Sequence, residues 1–243
     1  MDSVLLLDTE TTSVEPDAAC IEVAAVLFSL VHASPVRSFA SLIRADDNAA
    51  ESINRIPAAM LKDAPAPETV WPVVARMASK ASAILAHQAD FDRRFVPSDV
   101  TGETPWVCSM NDVQWPRAQK PGESLVKLAL AHDLGVASAH RALADCDLLA
   151  RLLTRIHEMG VDLQAFIARG LRPKGLFVVA DRRFDEARNE QCKLAGFSWD
   201  RDVKRAWSRK MALDDAPLLP FAVELIKRDF THDDDPPDGP WGK

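Results

Sequence analysis

The sequence predicts an α/β protein whose main domain is a mixed sheet flanked by helices, followed by a small C-terminal α+β module. Two observations support this class. Three apolar segments come first in the chain, and helical and strand segments then alternate, which is the order expected when helices cover a mixed sheet. The alternation stops near residue 170, where Gly170, Pro173 and Gly175 interrupt it.

The first domain is predicted to contain five strands and four helices. The turn sequence His-Ala-Ser-Pro at 32–35 separates the second strand from the third, Pro65 and Pro67 precede the first helix, and Gly135 is a predicted C-cap. The predicted strands cover 3–7, 20–31, 36–45, 83–86 and 105–110, and the predicted helices cover 68–80, 89–96, 122–134 and 141–158.

The rest of the chain is interpreted as a second unit. It is predicted to hold a strand at 176–180, a helix at 185–195 ending at Gly196, a hairpin about 200–203 and a last amphipathic helix at 216–229. The expected domains are therefore 1–170, 174–230 and an acidic, proline-rich tail, 231–243, which is expected to be disordered.

The charge distribution is uneven. The chain has 243 residues and a net charge of −7, yet residues 174–210 carry ten Lys/Arg and six Asp/Glu, a net of +4 that leaves −11 for the rest. Trp199 and Trp207 lie among these cations, a mixture that favours single-stranded nucleic acid. The alternative is that both tryptophans form the core of a small hairpin domain.

The sequence also bears on the cellular location of the protein and on whether its cysteines form a metal or redox site. No apolar run reaches the ~20 residues of a membrane span, and the N-terminus lacks a signal-peptide pattern, so a cytoplasmic protein is expected. The four cysteines are widely spaced without a CxxC pair, which argues against a zinc or redox motif. The acidic tail, with Trp241, is also a candidate docking segment for a protein partner.

The stretch "SVLLLDTETTS" places two acids at the end of the most apolar strand. Side chains two residues apart share a face of a strand, so Asp8 and Glu10 are expected to point the same way at its carboxyl end, where α/β sheets bind ligands. Two adjacent like charges repel unless a cation lies between them. The alternative is a pair of exposed loop acids.

Two later segments each contain one acid that helical geometry turns inward. In "AHQADFDRRF", Asp92 shares its face with Phe95, and an inward carboxylate needs a partner or a metal ion. In "HRALADCDLLARLLTRI", the apolar stripe of the helix projects back onto Asp145, whereas Asp147 falls on the polar face. His140 lies in the approach to this helix, over whatever Asp145 binds.

The four acids Asp8, Glu10, Asp92 and Asp145 thus come from three separate elements. Oxygen ligands suit a hard cation, Mg²⁺ or Mn²⁺. A cluster of this size can hold two ions about 4 Å apart, the arrangement that stabilises the attacking and leaving oxygens in phosphodiester cleavage. Histidine has an unperturbed pKa near neutrality, so a histidine at position 140 can accept the proton of an attacking water.

These motifs resemble those of the DnaQ-like (DEDDh) 3′–5′ exonucleases. The DxE motif is similar to "LDTETTS", the second motif to "AHQADFDRRF" and the HxAxxD motif to "HRALADC", and the segment 53–74 resembles the family's connection between the first two. The resemblance covers about residues 3–157. It implies a ribonuclease H-like fold, two divalent ions on the four acids, and His140 as general base.

The resemblance also implies substrate contacts. Thr11 and the backbone around Thr12 would contact the 3′-terminal nucleotide, and Ile56 would lie against the terminal base, unless it is a core residue. Two positions depart from the family pattern: Gln88 replaces Asn after a histidine, and Ser13 replaces Gly. Neither departure removes a metal ligand.

The expected function is metal-dependent removal of nucleotides from the 3′ end of a nucleic acid, with DNA favoured over RNA. One alternative is an exoribonuclease of the ribonuclease T or oligoribonuclease kind. Another is a non-catalytic nucleic-acid-binding protein that kept the fold, which the presence of all five residues of the motif set weakens.

Overall fold

A five-stranded mixed sheet forms the centre of the N-terminal part of the chain. The structure, a computed structural model, describes residues 1–137, 141–181, 183 and 185–228. The strands are β1 (Ser3–Thr11), β2 (Cys20–Ser29), β3 (Ser34–Leu42), β4 (Ile84–Ala86) and β5 (Trp106–Cys108). Their order is β3-β2-β1-β4-β5, with β1, β2 and β3 antiparallel and β4 and β5 parallel to β1. The predicted mixed sheet is confirmed.

Helices cover both faces of this sheet. They are α1 (Glu51–Asn54), α2 (Ala58–Lys62), α3 (Pro67–Ala78), α4 (Ala89–Phe95), α5 (Ser98–Thr101), α6 (Leu125–Ala131), α7 (Ala142–Glu158) and α8 (Leu163–Gly170). Strand alternation divides the core, because Val4 and Leu6 pack with α6, α7 and α8 whereas Leu5 and Leu7 pack with α3 and α5. Even-numbered residues of β1 therefore face α7.

Several bounds differ from the prediction. Strand β3 begins at Ser34 and includes Pro35, which the sequence analysis assigned to a turn; an edge strand tolerates proline because its ladder is paired on one side only. Helix α6 is shorter than 122–134, and the left-handed residue after it is Asp133 (φ 63°) rather than Gly135. The Asp133 carboxylate accepts hydrogen bonds from Arg117 and Arg155. Helix α8 and the short helices α1, α2 and α5 were not predicted.

A second sheet of four antiparallel strands follows. Its elements are β6 (Lys174–Val179), α9 (Glu186–Leu194), β7 (Ser198–Trp199), β8 (Trp207–Ala212) and β9 (Val223–Arg228), in the sheet order β7-β8-β6-β9. Cys192 of α9 packs against Phe177 and Met211 of the sheet. The predicted α+β character of this part is confirmed.

The predicted helix at 216–229 is wrong. Residues Leu213–Leu218 form a 3-10 helix, and Val223–Arg228 form the edge strand β9 beside β6. Pro217 and Pro220 prevent a continuous helix at the start of this segment. The short apolar run that follows is compatible with the helical period of 3.6 residues and with the strand period of 2. It forms a strand because it pairs with the edge of β6.

Among the described residues, two ion pairs join the second sheet to the N-terminal part of the chain. Lys174 Nζ lies 3.0 Å from Asp112 Oδ2, with side chains 15% and 8% exposed, and Lys210 Nζ lies 3.1 Å from Asp90 Oδ1 at the start of α4. No helix within the described ranges is both long and apolar enough to cross a membrane.

Candidate active site

Strand β1 delivers two acids to one face of the central sheet. Asp8 and Glu10 continue the even-numbered series of Val4 and Leu6, and both are partly buried. Because this face is the one that α7 covers, the two carboxylates point towards the N-terminal end of that helix.

Helix α7 supplies the third acid. Asp145 lies in the first turn of the helix, and its backbone N–H donates to the carbonyl of Arg141. One carboxylate oxygen from each of Asp8, Glu10 and Asp145 lies within 4.8 Å of the other two. Asp147, two residues along the same helix, is exposed. A single cation can therefore reach oxygens from two distant parts of the chain.

Asp92 is the fourth acid and is the most buried of them, with 2% of its surface exposed. Its Oδ1 accepts hydrogen bonds from the backbone N–H of Thr9 (3.0 Å) and from Thr9 Oγ1 (2.9 Å). These bonds tie the start of α4 to β1 between the two strand acids. Asp90 is exposed instead and pairs with Lys210.

The electrostatics of this cluster favour a bound cation. Burial, followed by repulsion from Asp92 and Asp145, raises the pKa of Asp8 well above its usual range. Burial, followed by repulsion from Asp145, raises the pKa of Glu10 to about 7. Burial also raises the pKa of Asp92 to about 7, although the hydrogen bonds from Thr9 favour its charged form. Carboxylates that lie this close together raise one another's pKa. Their oxygens form a set of ligands that suits a hard divalent cation.

Glu22 is a fifth buried acid, which the sequence analysis missed. It lies on β2 directly opposite Glu10 in the β1–β2 register and is 5% exposed. Its carboxylate binds Arg141 and the N-terminus of α7. The available signal was one acid within the apolar strand "CIEVAAVLF", which strand alternation places on the face of Ala24 and Val26.

The predicted substrate residues lie in different surroundings. Thr11 is buried and its Oγ1 donates to the carbonyl of Ser13 at 2.5 Å, and Thr12 is partly buried, with Oγ1 accepting from the Ala19 N–H. Ile56 is 2% exposed and packs in an apolar cluster, which favours the core alternative for this residue. His140 lies outside the described residues.

Two buried asparagines, which the sequence analysis also missed, hold the segment that follows β3. Asn54 Nδ2 donates to the carbonyl of Thr11 at 3.2 Å, and Asn48 Nδ2 donates to Asn54 Oδ1 and to the carbonyl of Ile56, each at 2.8 Å. This network connects α1 to the end of β1 and so fixes the loop beside the acids.

Comparison with protein families gives one match over most of the N-terminal part of the chain. The exonuclease family model (RNase_T) matches residues 5–153, more than half of the chain. A second model, described only as a domain of unknown function (DUF8626), matches residues 185–226. No curated protein matches the chain.

Solved structures of exonuclease I share the fold. The zinc-bound E. coli exonuclease I–ssDNA complex matches with a TM-score of 0.53 and 16% identity, over 74% of this chain and 48% of that one. A second exonuclease I structure gives 0.52 and 16%, over 93% and 63%. Exonuclease I from Methylocaldum szegediense gives 0.50 and 15%, over 76% and 49%.

At these identities the matches show the fold alone, and this chain spans less than two thirds of the length of each of these proteins. The predicted ribonuclease H-like architecture is thereby confirmed, as is the resemblance to DnaQ-like exonucleases at the level of the family. With a family match that begins in β1 and ends in α7, the two elements that bring the strand acids and Asp145 together, the chain belongs to the RNase_T exonuclease family.

Proposed function

We propose that the protein is a metal-dependent 3′–5′ exonuclease that hydrolyses the terminal phosphodiester bond at 3′ ends of nucleic acid, with DNA as the first substrate class. The observation that carries the proposal is the approach of the Asp8, Glu10 and Asp145 carboxylates to within 4.8 Å of one another inside a domain of an exonuclease family.

Asp8, Glu10, Asp92 and Asp145 are the proposed ligands of two divalent ions, Mg²⁺ or Mn²⁺. Bound there, the ions would neutralise charge on the scissile phosphate and lower the pKa of an attacking water. The chain's own residues supply the geometry: β1 fixes two carboxylates on one face, the first turn of α7 sets the third, and Thr9 holds Asp92 through two hydrogen bonds.

His140 is the proposed general base, and in the sequence it lies two residues before Ala142, the first residue of α7. A histidine in this role accepts the proton of the attacking water. The proposal expects His140→Ala to slow the chemical step by roughly 10²–10⁴ while leaving metal affinity largely unchanged.

The proposal also covers the class of nucleic acid, the residues that contact it, the cellular location and a protein partner. One E. coli exonuclease I structure with this fold holds single-stranded DNA, which supports DNA as the first class to test; RNA, as in an exoribonuclease, is the alternative. Thr11 and Thr12 are proposed to contact the 3′-terminal nucleotide. A cytoplasmic location and a protein partner for the tail 231–243, which lies outside the described residues, complete the proposal.

The domain organisation is also a proposal: residues 1–170 carry the chemistry, and 174–230 form a module that contacts nucleic acid beyond the 3′ end. Trp199 supports this role because the residue is 52% exposed, on the edge strand β7. The mutual contact of Trp199 and Trp207, with ring centroids 5.8 Å apart, also suits the alternative of a small hairpin core.

The test is a gel assay of the purified protein on 3′- and 5′-labelled DNA and RNA single strands of one sequence, with Mg²⁺, with Mn²⁺ and with chelator. Cleavage should shorten the strand stepwise from its 3′ end and stop with chelator. Asp145→Asn should abolish cleavage, whereas Asp147→Asn, which changes an exposed acid of the same helix, should retain it. Full turnover by Asp145→Asn, or no cleavage of any substrate by the wild type, would contradict the proposal.

A further inference from the structure

Glu22 is a charged residue in a position where the fold needs only an apolar one. Its neighbours on the same face of β2, Ala24 and Val26, belong to the core under α7. A buried carboxylate is costly unless it is paired and hydrogen-bonded. A glutamate at this position therefore indicates a role that valine or leucine could not perform.

Both carboxylate oxygens of Glu22 hold the start of α7. Arg141 Nη2 donates to Oε1 at 2.7 Å and Arg141 Nε donates to Oε2 at 3.1 Å, so the pair is bidentate. The backbone N–H of Ala142 also donates to Oε2, at 3.0 Å. Arg141 is the N-cap residue and its own side chain does not cap the helix. Glu22 thus replaces the missing cap from another strand, at the positive end of the helix dipole.

We propose that Glu22 is a positioning residue that sets the place of Asp145 relative to Asp8 and Glu10. It holds the first turn of α7, which contains Asp145, against β2, and β2 is in fixed register with β1 at Glu10. The inference rests on the proposed function for its metal ions, because Asp145 is one of their proposed ligands.

Two other roles for Glu22 fit the contacts less well. As a direct metal ligand it would have to share oxygens that already accept three hydrogen bonds, two from Arg141 and one from the Ala142 N–H. As a source of negative charge alone it would not need the bidentate geometry, which a lysine at 141 could not reproduce. Arg141→Lys therefore separates positioning from charge, because it keeps the charge pair and loses the fork.

The experiment compares the full-length wild type with Glu22→Gln and Arg141→Lys. Amide hydrogen exchange of the metal-free proteins reports on the first turn of α7, and calorimetric titration with Mn²⁺ reports on the ligand set. Both variants should exchange faster in a peptide covering 141–146, with the strands of both sheets unchanged. Both should bind Mn²⁺ roughly 10- to 100-fold more weakly, as expected when a supporting residue of a ligand is lost.

Asp215→Asn is the matched control. It breaks another bidentate arginine–carboxylate pair, in which Arg172 donates to Asp215 at 2.8 and 3.0 Å, and it should leave exchange in α7 and Mn²⁺ affinity unchanged. Each variant's turnover at saturating Mn²⁺ completes the set, and it should fall while KM changes by less than about twofold.

Three outcomes would overturn the inference: unchanged exchange and Mn²⁺ affinity in both variants, a loss confined to Glu22→Gln with Arg141→Lys normal, or faster exchange throughout the protein. The last would make Glu22 a general stabilising residue. If the wild type cleaves no nucleic acid, the proposed function fails, yet exchange in the first turn of α7 still decides whether Glu22 positions that turn.

Discussion

The fold raises the pKa of Glu10 and of Asp92, and these shifts make the stability of the protein depend on pH. In the folded chain the pKa of each is about 7, against ordinary values of 4.5 and 3.8. Both groups therefore bind a proton more tightly in the folded state than in the unfolded state. The stability that they contribute is fully present below their ordinary pKa values and is lost as the pH rises through about 7.

The metal-free protein is accordingly expected to lose stability between about pH 4 and pH 7, the interval between the unfolded and folded pKa values of the two groups. Urea denaturation in the presence of chelator, at several pH values in this window, measures the trend. Glu10→Gln removes one of the groups and should flatten it. Saturating Mn²⁺ should also flatten it, because the cation takes over the role of the protons. A metal-free midpoint that rises across this window would contradict the assignment of buried, mutually repelling acids.

Gln88 carries a different kind of local strain. It precedes α4 with φ 88° and ψ 46°, a left-handed conformation that asparagine tolerates better than glutamine. The family pattern has Asn at this position, so the substitution in this chain has a physical cost. By contrast Ser13, the other departure, is not among the residues with positive φ, and its side chain accepts from the Glu15 N–H.

Gln88→Asn is expected to raise the free energy of unfolding by about 0.5–1 kcal/mol, because the strain of the left-handed residue is relieved. The shift in the urea midpoint, at unchanged m-value, measures it. Gln88→Ala is the control, since alanine has no such tolerance and should not stabilise. Equal effects of the two substitutions would show that the backbone at residue 88 is not the cause.

At the scale of elements, periodicity decided what the sequence could predict. Strand β1 and helix α7 carry long, consistent patterns, which predict the shared face of Asp8 and Glu10 and the inward placement of Asp145. The inward placement of Asp92 follows from its position one turn before Phe95 in α4. Glu22 was missed because its role depends on the register between β2 and β1 and on the docking of α7, neither of which a single strand pattern encodes. The end of α6 was misplaced because Asp133, held by two arginines, adopts the conformation expected of Gly135.

The sequence predicts a helix over 216–229 that includes β9, because the six residues of β9 alone cannot distinguish a period of 2 from one of 3.6. The decisive factor is non-local: β6 has an edge to pair, and the segment fills it with Glu224 opposite Val178. Glu224 is exposed, so a substitution there reports local backbone preference with little change in packing.

Glu224→Thr is expected to stabilise the protein, by up to about 1 kcal/mol, because threonine favours strands over glutamate. In a helix the same change would destabilise. Gln191→Thr, at an exposed position of α9, is the helical counterpart and should lower stability by a few tenths of a kcal/mol. Thermal or urea unfolding of both variants shows whether each substitution raises or lowers stability. A loss of stability in Glu224→Thr would argue for a helix at 223–228.

At the scale of the whole molecule, the net charge of the second unit suggests cations that bind phosphates, whereas most of the described cations pair with acidic side chains of the protein itself. Nine Lys and Arg of the segment 174–210 lie in the described part of the chain, and seven of them form ion pairs: Lys174, Arg183, Arg188, Lys193, Arg201, Lys204 and Lys210. Arg209 is partly buried and donates to the carbonyl of Ala195. An electrostatic grip on phosphates is therefore a smaller part of this unit's expected contribution than exposed aromatic surface.

Deleting the second unit is a poor test of its role, because Lys174 pairs with the buried Asp112 of the first domain. Removing Lys174 leaves the Asp112 carboxylate without this partner, which costs stability. A truncated chain would thus lose stability whether or not the unit binds nucleic acid. A single exposed side chain gives a cleaner answer.

Trp199→Ala is expected to weaken the binding of a long single strand by roughly fivefold or more, since stacking of one base on an aromatic ring contributes about 1–3 kcal/mol. Fluorescence anisotropy with labelled single strands in Ca²⁺, at two salt concentrations, measures the loss. Because stacking involves no counterion release, the ratio of mutant to wild-type Kd should stay nearly constant between them. Leu218→Ala, at a side chain 80% exposed in the same unit, should bind as the wild type does. Equal affinity of Trp199→Ala and wild type would assign the tryptophan pair to the core of the small sheet instead.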